Sequence, residues 1–121
     1  MILVDTSIWI DHLHRPQEQL LHLLRRTAVV QHPMIVGELA LGTIRNRDTF
    51  LGLLRNLPLS ACAEHDEVLD FVERFSLHGK GLSLVDVHLL ASVALTPGAS
   101  LWTRDKRLNR AAEELRVDFR E

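Results

Sequence analysis

The 121-residue sequence has one cysteine, Cys62, and two lysines, Lys80 and Lys106. A lone cysteine excludes an internal disulfide and any zinc site built from cysteines. It fits a reducing compartment. Cations are in no excess either: the net charge is −2, so a grip on nucleic acid must come from a local patch. With so little lysine, nearly every cation is arginine. Arginine suits bidentate phosphate contacts, although a G+C-rich genome explains such a bias more simply. No run approaches the roughly 18–20 apolar residues of a membrane span. The opening Met1-Ile2-Leu3-Val4-Asp5 has no basic region and no long apolar stretch, so no signal peptide is expected. Repeats, low-complexity segments and linkers are missing. These absences leave one cytoplasmic domain over residues 1–121, with 46% hydrophobic residues to form its core.

Short β-branched runs alternate with helical periods. Ile2–Val4 reads as a strand. Thr6 to about His14 and Gln17 to Arg26 read as helices parted by Pro16, and Ala28–Gln31 as a second strand. Pro33 opens a helix reaching about Ile44, with Ile35, Leu39 and Gly42 on one face. Asp48–Asn56 is helical, Leu59–Cys62 a weak strand. Asp66–Phe75 is helical with Val68, Leu69, Val72 and Phe75 inward. His78-Gly79-Lys80-Gly81 is a turn. Ser83 to about Leu95 is a strongly apolar helix, Ser100–Thr103 a strand, Lys106–Leu115 a helix and Val117–Phe119 a last short strand. Such alternation predicts an α/β fold: a three-layer α/β/α sandwich around a mostly parallel sheet of four to five short strands.

Four acids stand inside or just after apolar segments: Asp5 after Ile2-Leu3-Val4, Glu38 in Met34–Leu41, Asp86 in Leu82–Leu90, and Asp105 after Leu101–Arg104. An ionised carboxylate that loses its water must be paired, hydrogen-bonded or bound to a cation. No segment supplies an obvious lysine or arginine partner for all four. Ligands of parallel sheets bind beyond the carboxyl ends of the strands, where strand order reverses. Asp5 and Asp105 share that edge if their strands are neighbours, and Glu38 and Asp86 lie in early turns of helices starting there. Capping competes with this reading. Asp5 and Asp105 suit helix N-caps, and Ser83-Leu84-Val85-Asp86 resembles a capping box. Glu38 is too far along its helix to cap; its alternative is an exposed place on a narrow polar face with Gly37 and Gly42. Convergence of four like charges further predicts that at least one holds its proton more tightly than usual.

The seven histidines offer no zinc motif, because His12 and His14, like Asp86 and His88, stand two apart rather than three or four. Most are expected at the surface, and His88 is expected to point away from Asp86. An all-carboxylate set selects a hard cation, Mg²⁺ or Mn²⁺. Such an ion activates water and neutralises phosphoryl charge, the requirement of phosphodiester hydrolysis. Thr6, Ser7 and Thr103 are hydroxyls placed to orient a ligand or to cap. Arg45, Arg47, Arg104, Lys106 and Arg107 flank Glu38 and Asp105 and are candidate phosphate contacts.

The segments Val4–Ile10, Val36–Gly42, Leu84–Ser92 and Leu101–Leu108 resemble, in order and spacing, the four acidic motifs of PIN-domain nucleases. The whole chain resembles the VapC toxins of type II toxin–antitoxin pairs. That resemblance implies a Mg²⁺- or Mn²⁺-dependent endoribonuclease cutting structured RNA, of the tRNA or rRNA class. It implies a homodimer neutralised by a VapB antitoxin, with operator DNA reached only through the antitoxin. It assigns both the metal and the chemistry to Asp5, Glu38, Asp86 and Asp105. Trp102 and Leu108 depart from the family's common residues. A non-catalytic module that binds antitoxin and operator, with the acids as caps, is the alternative. A haloacid-dehalogenase-like phosphatase ranks third, since it needs an acid where Ser7 stands.

Overall fold

A computed structural model describes residues 1–121. The chain runs β1 (Ile2–Val4), α1 (Thr6–His14), α2 (Glu18–Arg25), β2 (Val29–Val30), α3 (Pro33–Ala40), α4 (Arg47–Arg55), α5 (His65–Phe75), α6 (Leu84–Ala94), β3 (Ser100–Trp102) and α7 (Lys106–Glu114). The sheet order is β2-β1-β3, and both pairings are parallel. Side chains alternate between sheet faces along a strand, yet Ile2, Leu3 and Val4 are all buried. Both faces of β1 are therefore covered, as the α/β sandwich requires. No helix is long and apolar enough to cross a membrane.

The middle strand organises the core. Leu3, Val4, Leu101 and Trp102 pack with Ile8, Leu20, Ile35, Leu89, Leu90 and Leu108 in one cluster of 27 buried residues. α6 is the most enclosed helix, buried at every position from Val87 to Val93. That explains why its sequence is apolar all round rather than on one stripe. α6 and α7 both pack against β3, and α3 packs against α1 and α4.

The sheet is narrower than the sequence suggests. Leu59–Cys62 and Val117–Phe119 are reduced to single parallel bridges, Gln31 with Leu59 and Leu101 with Asp118. Each lies at an outer edge with one neighbour. Leu59, Ala61 and Cys62 are exposed, so little burial rewards a longer ladder there. α3 stops at Ala40 instead of near Ile44: the Arg47 guanidinium takes the Ala40 carbonyl at 2.7 and 3.1 Å, closing the helix, and Gly42 faces solvent. On α5, Val68 is buried, but Leu69 and Phe75 are 47% and 40% exposed. This helix packs mainly on α6, so its buried seam is narrower than its apolar stripe. Of the seven histidines, most of which are expected at the surface, His32 and His88 are buried.

Burial separates leucines that look alike in the sequence. Leu89→Ala should cost about 2–5 kcal/mol, because Leu89 is fully buried. Leu41→Ala should stay within about 0.5 kcal/mol of wild type, since Leu41 is 90% exposed. Urea denaturation of both variants measures the difference.

Candidate active site

Val4 is paired with Trp102 across β1 and β3, and the Asp5 N–H continues the ladder to the Trp102 carbonyl at 2.9 Å. Asp5 and Thr103 thus leave the sheet side by side, with Asp105 two residues on. β1 connects to β2 on one side, and β3 lies on its other side, so this is the crevice where strand order reverses. The Trp9 indole N–H donates to the Val4 carbonyl at 3.1 Å, fixing α1 against the strand end that carries Asp5.

The four acids differ in their surroundings. Asp5 is buried; Asp86 is partly buried; Glu38 and Asp105 are exposed. The expectation that all four lose their water is therefore met only by Asp5 and, in part, by Asp86. Gly37 and Gly42 are exposed as well, as the polar-face reading of Glu38 has it.

Each carboxylate is held by one oxygen. Asp5 Oδ2 accepts from the Thr103 hydroxyl at 2.7 Å and the Ser7 hydroxyl at 2.9 Å. Glu38 Oε1 accepts from the Thr6 hydroxyl at 2.7 Å. Asp86 Oδ2 accepts from the Ser83 N–H at 2.9 Å, completing a capping box with the Ser83 hydroxyl. Asp105 Oδ1 accepts from the Leu108 N–H at 2.9 Å and caps α7. Capping by Asp86 and Asp105 is thus real, whereas the Asp5 side chain makes no cap bond. The second oxygen of each acid, Asp5 Oδ1, Glu38 Oε2, Asp86 Oδ1 and Asp105 Oδ2, receives no hydrogen bond from the chain. None of the four forms an ion pair.

Asp86 holds its proton more tightly than an ordinary carboxyl. Burial is the main cause, opposed by the Ser83 bonds and reinforced by the charges of Asp105 and Asp5. Like-charge crowding is present but second to desolvation. No three His, Cys, Asp or Glu side chains stand close enough to ligate one ion as they are placed here.

The hydroxyls Thr6, Ser7 and Thr103 all reach the acids. Ser7 also accepts the Arg104 N–H at 3.1 Å, and Thr103 the Asp105 N–H at 3.1 Å. The flanking cations divide. Arg104 turns away to Asp11 and Glu121, at 2.6 Å each, and to Gln17 at 3.0 Å. Arg47 is used on the Ala40 carbonyl. Arg45 shares a cavity of about 390 Å³ with Glu38. Lys106 and Arg107 are exposed and make no ion pair. His88 packs against His32 with ring centres 6.4 Å apart. His32 caps α3 by accepting the Met34 N–H, and burial, then His88, pushes its pKa down to about 4. Sequence reading does not single out His32. Its place just before Pro33, the first helical residue, is the signal that could have marked it as a cap.

A family model described as "PIN domain" matches residues 2–114. Its length and the arrangement above agree: the chain belongs to the PIN domain family, with the VapC-type proteins. Ribonuclease VapC32 of Mycobacterium tuberculosis, from strain CDC 1551 / Oshkosh and from strain H37Rv, is 51% identical over 121 residues, which covers all of this chain and 98% of either relative.

The two caps and the raised Asp86 pKa separate in stability measurements without added metal. Asp105→Ala should lose about 1 kcal/mol, and Asp105→Asn far less, since asparagine caps as well as aspartate. For Asp86 the folded pKa lies above the ordinary value of 3.8. Its contribution favours the fold at acid pH and is lost as pH rises through the folded pKa. Asp86→Asn keeps an acceptor for Ser83 without the charge. It should therefore equal wild type at acid pH and exceed it at neutral pH, read from thermal melts at both.

Proposed function

We propose that this chain is a single PIN-type nuclease domain, residues 1–121, and a metal-dependent endoribonuclease toxin. The observation that carries the reading is that all four acids keep one carboxylate oxygen without a donor and none forms an ion pair. Full-length identity of 51% to a ribonuclease supports the RNA-cleaving part. The oxygen-only donor set fits a hard divalent cation, Mg²⁺ or Mn²⁺. Asp5, Glu38, Asp86 and Asp105 are the residues that would hold it. When bound, such an ion supplies an activated water and neutralises phosphoryl charge.

The chain's own residues do the positioning. Thr103 and Ser7 lock the Asp5 carboxylate at the buried end of the site, leaving Oδ1 outward. Thr6, on the first turn of α1, holds Glu38 of α3, so two helices fix one acid. Three of the acids, Asp5, Asp86 and Asp105, stand at helix N-termini, where the positive dipole end favours a phosphate. Asp86 Oδ1 and Glu38 Oε2 are the free oxygens suited to take a proton from the attacking water.

Structured RNA of the tRNA or rRNA class is the proposed substrate, met in the cytoplasm. The proposed assembly is a homodimer neutralised by a VapB-type antitoxin, which alone would contact operator DNA. An apolar cavity of about 330 Å³ between α1 and α4, lined by Trp9, Leu13, Phe50 and Leu53, supports an apolar partner segment. The caps made by Asp86 and Asp105 favour the alternative, a non-catalytic binding module. Purified Asp5→Asn and Asp86→Asn proteins decide between the two. In Mg²⁺ their RNA cleavage should fall about a hundredfold or more, with melting transitions retained, and EDTA should silence wild type. Wild-type cleavage that survives in both variants would refute the site.

A further inference from the structure

The turn His78-Gly79-Lys80-Gly81, between α5 and α6, takes no part in the acid site. Gly79 and Gly81 have φ of 73° and 75°. Gly81 is further constrained by space. A Cβ there would stand 2.6 Å from an Arg107 guanidinium nitrogen and 2.8 Å from Arg107 Cδ. The turn is thus a bed for the Arg107 side chain. Arg107 and Arg110 stand three apart on α7 and share a face. With Lys80, Ala111 and Glu114 they line a cavity of about 230 Å³.

Three cations and one acid line this cavity, an excess of two positive charges. Lys80 Nζ pairs with Glu114 at 3.0 Å. Arg107 and Arg110 have no ion pair. Two guanidiniums on one helix face repel each other, and an anion between them offsets that repulsion with bidentate hydrogen bonds. The location is specific. Arg107 is two residues past Asp105, and Arg110 lies about one 5.4 Å turn further. Lys80 is three residues before Ser83, which caps α6 with Asp86. The cavity runs along α7, the helix that Asp105 caps, and beside the turn that leads into α6. Lys80 and Arg110 are not among the cations picked out from the sequence, although the spacing of 107 and 110 is helical.

The geometry points to a phosphodiester subsite: Arg107 and Arg110, beside the Lys80–Glu114 pair, grip an RNA backbone phosphate. The identity of the polyanion rests on the ribonuclease reading. Arg104, adjacent in sequence to the acids, is excluded from this role by its bonds to Asp11, Gln17 and Glu121.

The test titrates wild type and the double variant Arg107→Gln, Arg110→Gln into a fluorescein-labelled single-stranded RNA oligonucleotide. Anisotropy is read in EDTA across a salt series, and cleavage of the same RNA is measured in Mg²⁺. Affinity should fall about tenfold, and the slope of log affinity against log salt should flatten by about 1.4, the share of two lost single-strand contacts. Melting should not change, since both arginines are exposed. A double variant with wild-type affinity and slope overturns the subsite. So does a variant that keeps RNA affinity but loses affinity for a poly-glutamate peptide, because the cavity then serves an acidic protein. Wild type that binds RNA through this cavity yet never cuts it ends the ribonuclease reading and keeps the subsite. Wild type that cuts, with a double variant that binds and cuts equally, does the reverse.

Discussion

Parallel pairing of β1 with β3 is the constraint on which the site depends. It is three residues long, Ile2 with Ser100, Leu3 with Leu101 and Val4 with Trp102. These segments are nearly a hundred residues apart, so their pairing closes most of the chain. The register decides the chemistry. Side chains alternate faces along a strand, so a slip of one residue would put each of them on the wrong side of the sheet. It would also part Asp5 from Thr103, whose hydroxyl meets it at 2.7 Å. The fully buried Leu3, Val4, Leu101 and Trp102 hold that register through their packing. Core and site therefore rest on the same six residues.

Capping and cation binding look like rival explanations of buried or half-buried acids. The geometry makes them compatible, because a carboxylate has two oxygens. One oxygen of Asp86 and one of Asp105 satisfy helix N–H groups, which orients the side chain at little entropic cost. The other remains without a donor from the chain. Asp5 and Glu38 obey the same division, with hydroxyls of Thr103, Ser7 and Thr6 as the donors. Burial raises the Asp86 pKa, and the neighbouring charges of Asp105 and Asp5 add to that rise.

Much of this was legible in the sequence where the signals are local. The Ser83–Asp86 box, the Asp105 cap, Pro33 at a first helical position and the apolar run Ile2–Val4 each report their own backbone. The four acids could be read as a set because each follows or opens such an element. What was illegible depends on partners far along the chain. Leu59–Cys62 has strand composition but an outer-edge position, and one bridge is all it forms. Leu69 and Phe75 fit an inward stripe, yet α5 lacks a second neighbour to cover them. Arg104 stands among the acids in sequence, but Asp11 and Glu121, 93 and 17 residues away, turn it outward. Glu38 and Asp105 sit in apolar segments and are still exposed, since a helix end or a polar face interrupts the core at one residue without changing the average.

Asp5, Glu38, Asp86 and Asp105 are proposed to form one site for a hard cation. Mn²⁺ titration followed by electron paramagnetic resonance tests it without reference to any substrate. Wild type is compared with Asp5→Asn, and with Asp11→Asn as a carboxylate outside the site. The account predicts saturable Mn²⁺ binding by wild type and Asp11→Asn, displaced by Mg²⁺, and binding at least about tenfold weaker in Asp5→Asn. Equal Mn²⁺ affinity in all three proteins, or none in wild type, would contradict it.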